Sequence, residues 1–268
     1  MGSAISAALI GIAVGMVVGA LGAGGGILSV PVLTYLLAQP PHDATSESLI
    51  IVIVTALVSL PNKAKRGQVR WKEGALFGLL STAGAVVGRI VNSHLDGDTL
   101  FLMFGVLLVA VAVVMYRNAS RQRAGEVRAQ AGAGAAAVVD PGARRRRGLP
   151  AVIVAATLTG MLTGLFGVGG GFAVVPVLML VLRYSVRDAS GTSLLVMIIA
   201  ALASVGTGVA ADTFHVDWAV TLLFTAGSAL GGIVGGPLSQ KARQSTLTYI
   251  FAALLVGVAV FTLVEVLA

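Results

Sequence analysis

An apolar run from Ala4 to Ala38 carries no charged side chain over 35 residues. As one straight helix it would reach about 52 Å at roughly 1.5 Å per residue. The hydrocarbon core of a bilayer is only about 30 Å thick. Such a run must tilt steeply, protrude or turn back on itself. Turning strains the backbone least at the cluster Gly22–Gly26, because glycine has no Cβ to clash. The stretch also occurs twice. Gly19-Ala-Leu-Gly-Ala-Gly-Gly-Gly-Ile-Leu-Ser-Val-Pro-Val-Leu33 returns as Gly164-Leu-Phe-Gly-Val-Gly-Gly-Gly-Phe-Ala-Val-Val-Pro-Val-Leu178, with nine of fifteen positions identical at a constant offset of 145. Glycine and proline are both poor in a helix interior, so each copy reads as a broken helix.

The chain is 57% hydrophobic and only 11% charged. No soluble fold hides that much apolar surface behind so few charges, so the composition predicts an integral membrane protein. The absence of cysteine excludes disulfides and Cys-ligated metals. A net charge of +7 would suggest nucleic acid in a soluble protein. Here the basic residues fall in short connections and one linker, which positive-inside topology explains without nucleic acid. Residues 1–20 lack a basic n-region and resemble residues 151–183, so they are expected to be structure and not a signal peptide.

In chain order, a polar loop at Gln39–Ser46 precedes a short apolar helix over about Glu47–Leu60, with Pro61 and Asn62 read as its end. A basic connection follows with Lys63, Lys65, Arg66, Arg70 and Lys72. Two full spans are predicted over Gly74–Asn92 and Thr99–Tyr116, joined by the acidic turn Asp96–Asp98. Residues 117–149 form an Arg/Ala/Gly-rich cytoplasmic linker without an apolar period. The second half repeats the first. Asp188-Ala189 matches Asp43-Ala44, Ser193-Leu194 matches Ser48-Leu49, and after a two-residue shift Trp218 matches Trp71 while Gly231 and Gly235 match Gly84 and Gly88. The expected division is therefore a first transmembrane repeat at 1–116, the linker at 117–149 and a second repeat at 150–268.

Charge decides how the repeats face. If each long run crosses once, the chain has eight spans as two parallel four-helix repeats. Arg183, Arg187, Lys241 and Arg243 then fall outside, against the positive-inside rule. If each run is instead a helical hairpin turning at its glycines, each repeat reverses the sidedness of the chain. All seventeen loop Lys and Arg residues then lie inside, leaving only Arg89 within a span. The favoured fold class is thus an all-α polytopic membrane protein of two inverted repeats, each a Gly-broken hairpin plus three transmembrane helices, with the eight-span parallel arrangement as the alternative.

The twin Gly-x-Gly-Gly-Gly-x-x-x-x-Pro-x-Leu segments at Gly22–Leu33 and Gly167–Leu178 resemble those of the sulfite exporter TauE/SafE family of membrane permeases. The segment Ala189-Ser-Gly-Thr-Ser-Leu194, the Trp71 and Trp218 positions and the polar central linker add to the likeness, which spans about 19–116 and 164–265. The resemblance implies a permease of the bacterial inner membrane that exports sulfite, organosulfonates or similar small anions, with small carboxylates as an alternative substrate class. The first half carries Ala44-Thr-Ser-Glu-Ser-Leu49 where the second has Ala-Ser-Gly-Thr-Ser-Leu, which argues against identical use of the two halves.

If the hairpins turn at the glycines, new helices begin near Gly24, Gly25 and Gly26 and near Gly169, Gly170 and Gly171. The first amides of a helix lack internal partners and carry about +0.5 charge. Two such starts meeting near the midplane would cradle an anion, whereas in the plainer reading the glycines only let helices pack closely. Ser46 and Ser48 in one half, and Thr192 and Ser193 in the other, would supply hydroxyl donors; caps and interhelical hydrogen bonds are their ordinary roles. Arg89 would attract an anion or snorkel to the interface. Glu47 and Asp188 sit near helix starts, where the dipole favours carboxylates, and are the candidates for proton coupling.

No cofactor is expected. The glycine cluster lacks the Lys-Ser/Thr ending of a phosphate loop, and His42, His94 and His215 lack metal-ligand spacing. With no ATP site, transport would be secondary. An anion channel is the rival reading, and an intramembrane enzyme is disfavoured because no Ser–His pair or paired carboxylates share a membrane depth.

Overall fold

A computed structural model of the chain describes residues 2–21, 26–130, 149–168, 171–238 and 244–267. Among these, every regular element is helical: α1 (Gly2–Leu21), α2 (Gly26–Pro31) continued by a π-helical turn (Val32–Leu36), α3 (Pro41–Lys65), α4 (Trp71–Asn92), α5 (Gly97–Gln130), α6 (Leu149–Phe166), α7 (Gly171–Val181), α8 (Val186–Ala210), α9 (Trp218–Leu238) and α10 (Gln244–Leu267). Six of them, α3, α4, α5, α8, α9 and α10, include stretches long and apolar enough to cross a membrane, while α1 and α6 contain shorter apolar segments. Large apolar side chains such as Leu79, Val106, Leu230 and Val264 lie exposed on the outside of the bundle. In a membrane protein that surface faces lipid.

The helix boundaries follow the internal repeat. α3 and α8 begin and end 145 residues apart, and α4 and α9 begin at the equivalent tryptophans, Trp71 and Trp218. Both indoles are exposed, as expected of interfacial anchors. Proline shapes the short segments. Pro31 closes α2 and Pro176 lies inside α7; each removes a ladder donor. After Pro31 the ladder widens, with Leu37 N–H donating to Val32 O at 3.1 Å.

Three sequence expectations shift. α3 starts at Pro41, where the missing amide of a first-turn proline is no loss, and it runs through Pro61 and Asn62 to Lys65. It is a full span, longer than Glu47–Leu60. α5 continues to Gln130, so the first part of the 117–149 segment is helical. The basic tail of that helix lacks an apolar stripe in its sequence, and residues 131–148 lie outside the described residues.

The two halves interlock. α1 packs along α9, α6 along α4, and α5 along α10. Glycine makes the first two crossings close. A Cβ at Gly11 or Gly15 would overlap the carbonyls of Phe224 or Ser228, and one at Gly84 or Gly88 would overlap those of Thr157 or Met161. Small residues allow such backbone approach between membrane helices. The core clusters mirror one another: Ala7, Leu33, Ala44, Ile51 and Phe224 pack together in one, and Ala156, Leu178, Ala189, Val196 and Phe77 in the other. Each takes its phenylalanine from the opposite half.

Connections gather in two groups. Gly97 meets the ring of Pro41, His42 Nδ1 lies 3.5 Å from Asn92 Oδ1, and Arg89 reaches the carbonyl of Thr213. The connections at 37–41, 93–97 and 211–217 therefore share one end of the bundle. At the other end, Lys63 Nζ donates to Ser190 Oγ at 3.3 Å and Arg70 pairs with Asp188 at 3.2 Å. That joins the basic 63–70 connection to the start of α8.

Candidate functional site

The first turns of α3 are enclosed by the bundle: Ala44 to Leu49 are all fully buried although four of the six are polar. Buried polar groups need partners. Thr45 and Ser46 donate to the carbonyl of His42 at 2.7 and 3.1 Å, and Ser48 donates to Thr45 O at 3.0 Å and to the carbonyl of Gly167. Gly167 takes φ +65°, and a Cβ there would overlap Thr45, so only glycine fits. It ends α6 as a left-handed cap, donating its amide to Thr163 O at 3.0 Å. The second glycine break is thereby seated on the start of α3.

Arg89 faces this junction from the last turn of α4. It does not snorkel: the residue is 2% exposed. Nη2 donates to Ser46 Oγ at 2.8 Å and to Thr213 O at 2.6 Å, while Nη1 reaches Thr45 Oγ1 at 3.4 Å and Asn92 Oδ1 at 3.5 Å. Its guanidinium lies 6.0 Å from the Phe214 ring centroid. Nε has no hydrogen-bond partner. It faces Gly208 of α8, where a Cβ would stand 3.0 Å away and glycine leaves room. Among the described residues the only ion pair joins Arg70 to Asp188. Arg89 is thus a buried cation held by neutral oxygens, with no carboxylate against it. A buried charge without a counter-ion in contact is costly, by several kcal/mol, and a bound anion would supply that contact.

Asn92 braces the same corner, donating to the carbonyl of Leu165 at 2.7 Å near the end of α6. Glu47, next to Ser46, is fully buried; Oε1 accepts the Asp217 amide at 2.9 Å and Oε2 has no partner. Asp217 in turn accepts the amides of Ala219 and Val220 at the start of α9.

Of the residues expected from sequence, Ser46, Ser48 and Arg89 come together here. Thr192 and Ser193 do not join them. Thr192 Oγ1 accepts the Arg70 amide at 3.1 Å and its methyl faces Gly74, while Ser193 donates to Ser190 O at 3.0 Å. Gly74 lies fifteen residues before Arg89 on α4, about 22 Å along the axis at roughly 1.5 Å per residue. Gly26 and Gly171 are the first residues of α2 and α7, and those two helices touch. Gly24, Gly25, Gly169 and Gly170 lie outside the described residues. The break at Gly167 sits beside the last turn of α4, not half-way along it. The reason is length: the 18 residues of α6 nearly cross the bundle, about 27 Å, before the chain breaks. Sequence reasoning missed Thr45, Asn92, Thr213 and Gly208. The signal available for two of them was a polar side chain at the mouth of an apolar span.

Comparison with known proteins agrees with the helical membrane architecture. The family model described as sulfite exporter TauE/SafE matches residues 7–262. A "probable membrane transporter protein" of Xylella fastidiosa (strain 9a5c) is 31% identical over 263 residues, covering 93% of this chain and 91% of its own. The "probable membrane transporter protein YunE" of Bacillus subtilis is 27% identical over 263 residues, covering 92% and 93%. No solved structure matches. With a family match over nearly its whole length, relatives named membrane transporters and six helices long enough to span, this chain is a multi-pass membrane protein of the sulfite exporter TauE/SafE family.

Proposed function

We propose that the protein is a secondary transporter that exports small anions of the sulfite or organosulfonate type. The observation that carries this reading is Arg89: a guanidinium buried in the protein and held by neutral oxygens, with no carboxylate against it and one N–H free. A sulfite or sulfonate headgroup offers the oxygen acceptors that a guanidinium fork binds best. Ser46 and Thr45 are its hydroxyl companions. The α7 start at Gly171 lies four residues beyond the Gly167 break, and the first amides of a helix lack internal partners that an anion could supply. In this reading Gly169 and Gly170 let the anion approach the backbone, and Gly24, Gly25 and Gly26, with Thr192 and Ser193, form the weaker counterpart in the other half, which has no equivalent arginine.

Inverted repeats accompany the proposal. The shared cluster of Ala156 with Leu178 supports a hairpin between α6 and α7, because collinear helices would separate those residues by about 33 Å. Contact between the 63–70 connection and the start of α8 supports placing both basic connections on one side. Parallel repeats would put them on opposite sides.

Reconstitution tests the reading. Wild-type protein in liposomes is expected to exchange sulfite and methanesulfonate with saturation. R89Q should lose at least about 30-fold, as removing a buried charged partner worth roughly 2 kcal/mol or more predicts. R89K should fall between, since an ammonium lacks the planar fork. Wild-type exchange by R89Q removes the proposal, and conductance far above carrier turnover replaces it with a channel.

A further inference from the structure

We propose that Glu47 binds one proton with each singly charged anion bound at Arg89, making the protein a proton–anion symporter, which exports while the cytoplasmic excess of anion outweighs the opposing proton gradient. The inference rests on the transport reading above and adds the coupling ion and the residue that carries it. Two carboxylates near helix starts were candidates, and the structure separates them. Asp188 pairs with Arg70 at 3.2 Å and is partly exposed, so its charge is compensated and hydrated. Glu47 is fully buried, one oxygen holds only the Asp217 amide and the other has no partner. A protonated carboxyl would put an O–H donor on the second oxygen, where an ionised one leaves a bare charge.

The charged surroundings point the same way. Facing Glu47 are Asp217, from the 211–217 connection, and Asp43, one turn earlier on α3; both are carboxylates. Arg89 of α4 is reached through Ser46, which lies next to Glu47 in sequence. α2 and α9 contain no ionisable side chain, the π-helical turn has only Tyr35, packed on Phe101 and Phe261, and the two of α8, Arg187 and Asp188, lie at its far end. Among the described residues, no Lys, Arg or His nitrogen stands within 4 Å of a Glu47 oxygen.

Charge balance couples the two sites. Empty, the pair Arg89⁺ and Glu47⁻ sums to zero. A singly charged anion alone would leave the buried region negative, and charge there is expensive. A proton on Glu47 restores neutrality, so the empty and the loaded forms carry the same net charge. The 211–217 connection links the events mechanically, since Arg89 holds its Thr213 carbonyl and Glu47 its Asp217 amide. Protonation turns a charge-assisted N–H···O bond into a weaker neutral one, loosening that connection when cargo is aboard.

The test uses the full chain in liposomes, with sulfite and with methanesulfonate, whose single charge does not vary over the pH range used. With one proton per anion, a gradient of one pH unit should drive about tenfold accumulation on the alkaline side in the wild type and in D188N. E47Q, locked neutral, should still exchange anion across the membrane yet lose gradient-driven accumulation. Accumulation by E47Q equal to that of the wild type overturns the proposal, as does wild-type exchange that ignores the pH gradient. Should E47Q not assemble, E47D decides: a displaced pH profile is expected, and an unaltered one counts against Glu47. If the wild type exchanges neither anion, the transport reading itself fails and this inference falls with it.

Discussion

At the scale of single residues, the proposed chemistry rests on groups whose ordinary partners are missing. Arg89 has hydroxyl and carbonyl oxygens where a buried guanidinium usually has a carboxylate. Glu47 has a backbone amide where a buried carboxylate usually has a cation. Asp96 is the contrasting case. It caps α5 from outside the spans, accepting the Thr99 amide at 3.0 Å, and that bond holds its carboxyl below the usual range. A depressed folded-state value contributes stability that is present above the unfolded value and lost as pH falls through the folded one. D96A is therefore expected to lower the unfolding temperature at neutral pH, and the gap to the wild type should close on acidification below about pH 4. Thermal unfolding in detergent across pH checks this; a gap that persists in acid would assign the effect to something other than the carboxylate.

Among the elements, glycine decides which helices touch. α4 meets α6 through Gly84, Gly88, Gly160 and Gly164, each pressed on a facing backbone carbonyl. A methyl group cannot be accommodated there without separating the helices, because the obstructing atoms are backbone and not the end of a flexible side chain. G84A should cost about 1–3 kcal/mol or more by overpacking. G206A is the matched control: Gly206 is exposed on α8 and nothing lies within 4 Å of its Cβ position. It should be neutral or slightly stabilising, since alanine is the better helix former. Comparing the two unfolding midpoints tests the crossing, and equal midpoints would show that the α4–α6 contact yields easily. These glycines were legible in sequence as small residues in apolar runs. Their partners were not, because a helix-compatible spacing says nothing about which other helix lies opposite.

For the whole molecule, the interlocked repeats make a topological claim that charge counting and contacts both support. α1 crosses to α9 and α6 to α4, so neither half packs without the other. The chain contains no native cysteine, which makes single-site labelling direct. In intact cells, a membrane-impermeant maleimide is expected to reach H215C from outside and R187C only after permeabilisation; both positions are exposed. The reverse pattern would mean eight spans in parallel repeats. The residues by themselves already determined a helical membrane protein, its duplication and the basic connections, since composition, apolar runs and spacing are read along the chain, whereas α3 and α5 are longer than their apolar cores suggested. Only the tertiary structure decided that Arg89 turns inward, that Glu47 keeps an oxygen without a partner, and that the hydroxyls of the two halves lie at opposite ends of α4. Those outcomes hang on contacts such as Arg89 to Thr213 and Glu47 to Asp217, which join residues 124 and 170 positions apart. Burial and partnership are set by what folding brings alongside, and at such separations nothing local in the sequence carries that information.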